Sequence, residues 1–315
     1  MIHGGGHIML SRKDVRPKQT RLLLDRGFLP VSIDYRLCPE VTLTEGPMAD
    51  VCTALEWARN SLPNMVLSRS DIRPDGSKVA VVGWSTGGTL ALTLGWTAPQ
   101  RGIAPPNAIL AFYCPSDYES DFWKSPNFPE NTTSADAAVD YDLLEGVRDQ
   151  PFTAHKVPRD QGAVAGWMTL KDPRSRIALH MNWKGQSLPT LLDGLPCGST
   201  VDPAEARRYL SRPQPSPERI REVSPFAQVA LGTYQTPTFF VHGTLDDLVP
   251  CDHTKKISAA LATRGIATGM SIVEGAHHYF DLYPETEKRY RDAVARGYDF
   301  LCEQLGVVQK RESDC

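Results

Sequence analysis

The stretch from Lys78 to Trp96 constrains the fold of this chain more than any other. Lys78-Val79-Ala80-Val81-Val82-Gly83-Trp84 is a continuous apolar run of strand length, and Gly88 to Trp96 continues as an apolar run with helical character. Only Ser85-Thr86-Gly87 stands between them, so the chain must pass from a buried strand into a buried helix through one sharp turn. Such a turn strains the backbone and brings neighbouring elements close, which calls for glycine, supplied here by Gly83, Gly87 and Gly88. The resulting Gly83-Trp84-Ser85-Thr86-Gly87 is a G-x-S-x-G pattern in strand–turn–helix context, the setting in which a serine hydroxyl is exposed at the top of a parallel sheet. Taken alone, a glycine-rich turn after a strand also fits a phosphate-binding loop.

Further strands are predicted at Phe28 to Asp34, Ala108 to Cys114, Thr238 to His242 and Met270 to Val273. Helices are predicted at Thr20 to Arg26, Met48 to Ala58, His253 to Thr263 and Glu285 to Leu305. Alternating strands and helices imply an α/β fold with a doubly wound, mostly parallel sheet. Residues 115–235 break the pattern. They are rich in Pro, Asp, Ser and Trp, with weak helical signals at Ala204 to Leu210 and Pro217 to Val223. A structureless loop of that length is improbable in a compact domain, so a large helical cap inserted between two core strands is expected. The expected organisation is a core of residues 1–114 and 236–308, a cap of 115–235 and a frayed tail of 309–315.

A serine hydroxyl is a weak nucleophile and needs a base, a group orienting that base, and donors for the oxyanion of the tetrahedral intermediate. The chain carries candidates for each in order. His3-Gly4-Gly5-Gly6-His7 offers backbone N–H groups of Gly5 and Gly6, joined by that of Thr86 directly after Ser85. Donors aimed at developing charge are each worth ~3 kcal/mol of barrier. A flexible N-terminal linker is the bland alternative for the glycine run. The base lies in Gly275-Ala276-His277-His278, after a strand, at the sheet edge where ligands bind. Asp246 or Asp247 orients it; Asp246 fits a G-x-x-D-x-x-V-P spacing through Gly243, Val249 and Pro250. His242 reads as a strand-end residue with a satisfied hydrogen bond. Arg36 and Glu40 are expected to brace the loop beside the glycine run as an ion pair. Trp84, Trp123, Trp167 and Trp183 are candidates to line a substrate pocket, with the last three equally suited to a small core of the cap's own. An unperturbed imidazole titrates near ~6.5, so activity is expected to fall on acidification below that range.

Composition narrows the alternatives. The net charge is −3 and no basic run stands out, which speaks against nucleic acid as a partner. No apolar stretch approaches the roughly 20 residues of a membrane span. The seven cysteines are scattered and odd in number, with no zinc spacing, and read as reduced thiols of a cytoplasmic protein. The chemistry calls for no metal and no cofactor.

The set HGGGH, DYRLCPE, GWSTGG, HGTLDDLVP and GAHHYF resembles the hormone-sensitive-lipase-like branch of the α/β-hydrolases. Within it, the chain is similar to fungal hydrolases of polyketide pathways, including the C-terminal thioesterase-like domains of non-reducing polyketide synthases. The resemblance implies a Ser85–His278–Asp246 triad, with His278 as base because the family places it two residues before an aromatic, here Phe280. It implies a small-molecule ester or thioester substrate, an acyl-Ser85 intermediate and an acyl carrier protein as the partner of a thioesterase. Trp84 and Thr86 depart from the branch's usual G-D-S-A-G and alter pocket shape without removing a triad function. Only Met1 and Ile2 precede His3, so the resemblance also implies a sheet short of its early strands, with unpaired edges.

Overall fold

A computed structural model describes all residues except 70, 129–143, 145, 159–167, 197–201, 203–210, 283–287 and 308–315. Four parallel strands, β1 (Ala80–Trp84), β2 (Ala108–Phe112), β3 (Thr238–Gly243) and β4 (Thr268–Val273), lie side by side in that order. The register sets Gly83 beside Ala111, Phe112 beside Val241 and Gly243 beside Val273. β2 and β3 are buried along their whole length, as their unbroken apolar runs require.

Side chains alternate between the two faces of the sheet. Ile109, Ala111 and Phe240 point to one face, where they pack with α2 (Pro47–Asn60), α3 (Thr86–Gln100) and α8 (Cys251–Thr263). Leu110, Phe112, Phe239 and Val241 point to the other, against α1 (Pro17–Asp25) and α9 (Lys288–Leu305). The predicted doubly wound α/β architecture is therefore observed.

Phe28 to Asp34 does not form the expected strand. Pro30 offers no N–H to a ladder, and the only pairing is a single bridge from Ile33 to Ile2, which also bridges Gly83. β1 is thus an edge strand, and a groove of about 750 Å³ runs beside it, walled by Met1, Ile2, Leu23, Phe28, Leu55 and Val81.

Between β2 and β3 lie α4 (Pro173–Trp183), α5 (Ser187–Asp193), α6 (Pro217–Val223) and α7 (Pro225–Leu231). Only α6 was legible in advance. α4 is buried on nearly every side, from Arg174 to Trp183, so it has no polar stripe to give it a helical period. Its start is set by Pro173 at the first turn and by Asp172, whose side chain accepts from the Ser175 N–H. The helix predicted at Ala204 to Leu210 and the tail of 309–315 fall outside the described residues.

The expected Arg36–Glu40 pair is not formed. Arg36 instead grips Asp50 of α2, at 2.7 Å from Nη2 to Oδ1. Glu40 is buried and paired with Arg174 of α4, 2.6 Å away. This second pair ties α4 to the loop after Asp34, a role that spacing within one loop does not reveal.

Candidate active site

β1 ends at Trp84, and the chain reverses at Ser85 with φ +51° and ψ −129°, a conformation costly for a residue with a side chain. The turn is fixed from below by the Ser85 N–H donating to Phe112 O at 2.9 Å, and from above by Gly88 N–H donating to Ser85 O at 2.8 Å. The glycines are spatial necessities. A Cβ on Gly83 would meet Gly87 O at 2.2 Å, and one on Gly87 would meet the carbonyls of Ile2 and His3 at 2.3 Å. The elbow and the N-terminal glycine run therefore pack backbone to backbone.

That contact brings the glycine loop to the serine. A Cβ on Gly4 would lie 3.0 Å from Ser85 Cβ, and the His7 N–H donates to Thr86 Oγ1 at 3.2 Å. Gly5 and Gly6 both have positive φ, and Gly5 O closes the loop by accepting from the Ile8 and Met9 N–H groups at 3.0 Å. The Gly5 and Gly6 N–H groups have no backbone acceptor among the described residues. The loop is ordered by contact with the elbow, which sets the linker alternative aside.

From the far side of the sheet, the loop after β4 presents His278. Its Nε2 lies 3.1 Å from Ser85 Oγ, and its Nδ1 lies 2.6 Å from Asp246 Oδ2. Asp246 Oδ1 accepts from the N–H groups of Leu248 and Val249, each at 2.9 Å. Burial by itself would raise the Asp246 carboxyl. The charge of His278 and hydrogen bonds from His242 and His278 outweigh it and hold the group far below the usual carboxylate range. His277 and Asp247, the alternatives that spacing left open, are both exposed, so the geometry brings together His278 and Asp246.

Sequence reasoning left three neighbours without their part in this arrangement. Tyr113, just past β2, sets its ring 4.5 Å from that of His278 at a tilt of 59°, and its hydroxyl donates to Asp281 at 2.5 Å while accepting from Arg16. His242 lies with its Nε2 3.1 Å from Asp246 Oδ2. Arg174 donates to Ile8 O at 2.6 Å, fastening α4 to the glycine loop. Of these, only His242 had a signal, its place four residues before Asp246 in His-Gly-x-x-Asp.

The tryptophans divide differently. Trp84 alternates with Gly83 along β1 and so points into the core, 5.8 Å from Phe112, with its N–H on Gln19 at 3.3 Å. Trp123 packs edge-on to Tyr118 and Phe122 and donates to Asp117 O at 2.9 Å. Trp183 is 1% exposed in the same large core cluster. All three are buried, Trp123 and Trp183 in the core on one face of the sheet and Trp84 in that on the other, and Trp167 falls outside the described residues. No group of side chains suited to hold a metal occurs among the described residues.

A strand–elbow–helix bearing serine, a glycine loop beside it, and a histidine and aspartate from the last two strand ends define a serine-hydrolase type of site. Sequence models agree with it. One described as alpha/beta hydrolase fold matches residues 1–165, and one described as prolyl oligopeptidase family matches 198–308. The chain belongs to the α/β-hydrolase family. It is 59% identical over 309 residues to 5-methylorsellinic acid synthase of Aspergillus terreus, and 52% identical over 314 residues to a non-reducing polyketide synthase of Emericella nidulans. Those alignments cover 97% of this chain and 12% of each relative, so the chain spans about an eighth of their length. Among solved structures, an α/β-hydrolase superfamily protein from Enterococcus faecalis superposes with TM-score 0.60 at 18% identity, covering 96% of this chain and 88% of that one. A bacterial heroin esterase superposes with TM-score 0.56 at 19% identity, covering 96% and 73%. These last likenesses concern the fold. No described helix is long and apolar enough to cross a membrane.

Proposed function

We propose that this chain cleaves a carboxylic ester or thioester through an acyl-Ser85 intermediate, in the service of polyketide metabolism. The observation that carries the reading is the relay from Ser85 Oγ through His278 to Asp246, at 3.1 and 2.6 Å. Ser85 Oγ attacks the acyl carbonyl while His278 Nε2 takes its proton, and Asp246 stabilises the charged imidazole. The oxyanion is received by the amides of Gly5, Gly6 and Thr86. His278 returns the proton to the departing alcohol or thiol as the carbonyl re-forms. Water, or a nucleophile within the acyl group, then releases the product by the same steps in reverse roles.

The relatives named as polyketide synthases favour a thioester donor, presented as an aromatic or polyketide acyl group on a carrier protein. The segment 115–235 serves in this reading as the cap that shapes the acyl site. Its α4 lies against the glycine loop through Ala178, 3.6 Å from a Cβ built on Gly6, and Asn182 reaches Leu248 O beside Asp246 at 3.3 Å. Cys38, Cys52, Cys114 and Cys251 are buried thiols outside any disulfide, which supports a reducing, cytoplasmic setting.

The test is intact-mass labelling with a fluorophosphonate, followed by turnover of a carrier-bound acyl thioester beside an aryl ester. One adduct that is absent in Ser85→Ala is expected, with faster turnover of the carrier-bound donor. A folded chain that takes no adduct refutes the nucleophile, and preference for the free aryl ester refutes the carrier-bound donor.

A further inference from the structure

Asp246 is held by two histidines, and the proposed relay uses only one of them. His242, the penultimate residue of β3, has no exposed surface in its side chain, and its Nε2 lies 3.1 Å from Asp246 Oδ2, the same oxygen that His278 Nδ1 contacts. Nε2 also lies 3.0 Å from Val249 O. Both neighbours of this nitrogen are acceptors, so it carries the proton. On the other side of the ring, Nδ1 lies 2.8 Å from Thr254 Oγ1 of α8, whose hydroxyl donates to it. The tautomer of His242 is thereby fixed by a threonine and a backbone carbonyl, neither of which belongs to the relay.

We infer that His242 is a positioning residue for the hydrolase site, donating to the Asp246 carboxylate so as to orient it and to moderate the basicity of His278. The inference rests on the proposed Ser85–His278–Asp246 reading. The geometry gives each carboxylate oxygen its own pair of partners: Leu248 and Val249 amides on Oδ1, His242 and His278 on Oδ2. Taking His242 away leaves Oδ2 with one partner. The carboxylate is then free to rotate, and its negative charge falls more fully on His278, whose protonated form gains. A residue that merely fills space would not move that equilibrium.

Other groups acting on the pair stay in place when His242 is changed. They are Cys251 of α8 and Tyr279, which act on Asp246, and the Tyr113–Arg16–Asp281 cluster behind the His278 ring, while His253 of α8 faces His242 itself.

The experiment is the pH dependence of Ser85 labelling by a fluorophosphonate in the full chain, for wild type, His242→Leu, His242→Gln and Thr254→Val. In His242→Leu the labelling rate falls at neutral pH, and its acid limb moves to higher pH by about 0.5–1 unit, the scale of losing one hydrogen bond to a carboxylate beside a histidine. His242→Gln, whose amide can donate to Asp246 and accept from Thr254, returns the limb most of the way to wild type. Thr254→Val, which frees the tautomer, moves it in the same direction by less. A slower His242→Leu with an unmoved limb overturns the inference, since a structural role alone produces that result. If His242→Leu does not fold, a Thr254→Val profile superimposed on wild type overturns it equally. Wild type that takes no Ser85-dependent label overturns the relay itself and is read apart from these outcomes.

Discussion

Replacing Arg174 by Met tests whether α4 and the glycine loop are one mechanical unit. The guanidinium is 2% exposed and donates to Ile8 O, Cys38 O and Gly146 O, and to both oxygens of Glu40 at 2.6 and 3.1 Å. It also lies 4.4 Å above the Phe152 ring. Arg174→Met keeps the stem but leaves the fully buried Glu40 carboxylate uncompensated, which costs about 3–5 kcal/mol. For a chain of this size each kcal/mol lowers Tm by about 2–4 °C, so a fall of roughly 10 °C is expected. Glu40→Gln should cost a comparable amount, because it strands the cation. In the double variant no charge remains. Its cost then comes mainly from three carbonyls that lose a donor, at about 1 kcal/mol each. The cycle should therefore show about 3–7 kcal/mol of coupling between the two sites, read from urea midpoints of the four proteins. Labelling of Ser85 should slow in Arg174→Met below its unfolding range, because Ile8 O no longer anchors the loop. Coupling under about 0.5 kcal/mol, or an unchanged labelling rate, would refute the reasoning.

Two further expectations concern glycine and acid. Gly87→Ala sets a methyl 2.3 Å from two backbone carbonyls, so it should cost about 3 kcal/mol in a urea titration and abolish labelling, whereas Gly102→Ala, with φ +72° and no atom within 4 Å, should cost only about 1 kcal/mol. Equal losses at the two sites would rule out close approach as the cause. Burial lowers His3 to about 4, His7 to about 3 and His253 to about 4, from an ordinary 6.5. The unfolded chain therefore binds more protons than the folded one between those values and 6.5. Stability is full above pH 6.5 and is lost as pH falls, by about 1.4 kcal/mol per unit per histidine. Urea midpoints that stay flat from pH 7 to pH 5 would contradict this.

Much of the site was legible because its chemistry lives in short local patterns. Gly83-Trp84-Ser85-Thr86-Gly87 specifies its own strand–turn–helix, and β2 and β3 are apolar runs suited to the buried middle of a sheet. What spacing could not supply was partner choice. The G-x-x-D-x-x-V-P spacing favours Asp246 over Asp247, but without the family resemblance nothing local distinguishes His277 from His278; that choice is made by which side chain the loop turns inward. Glu40 lies near Arg36 in the chain, yet its partner is Arg174, because burial of α4 requires its one internal cation to be matched. α4 itself escaped notice for the same reason, since a helix surrounded by protein has no polar face to betray its period. Phe28 to Asp34 erred the other way: its composition suits a strand, but Pro30 and the single available partner, Ile2, limit it to one bridge.

Among the described residues, five other than glycine have positive φ; of these Ser85, Tyr113 and Tyr279 meet around the His278 ring while His7 and Leu10 flank the glycine loop. Each such conformation is held against a cost of order 1–3 kcal/mol by packing around it. When that packing loosens, these segments have a downhill path that the sheet does not. Mild heating should therefore erase reactivity while the far-ultraviolet spectrum of the strands and helices is still intact, and a chain rescued early enough should recover it on cooling. Shelf life for an assay is set by the loops around the serine, and melting temperature is set by the sheet beneath them.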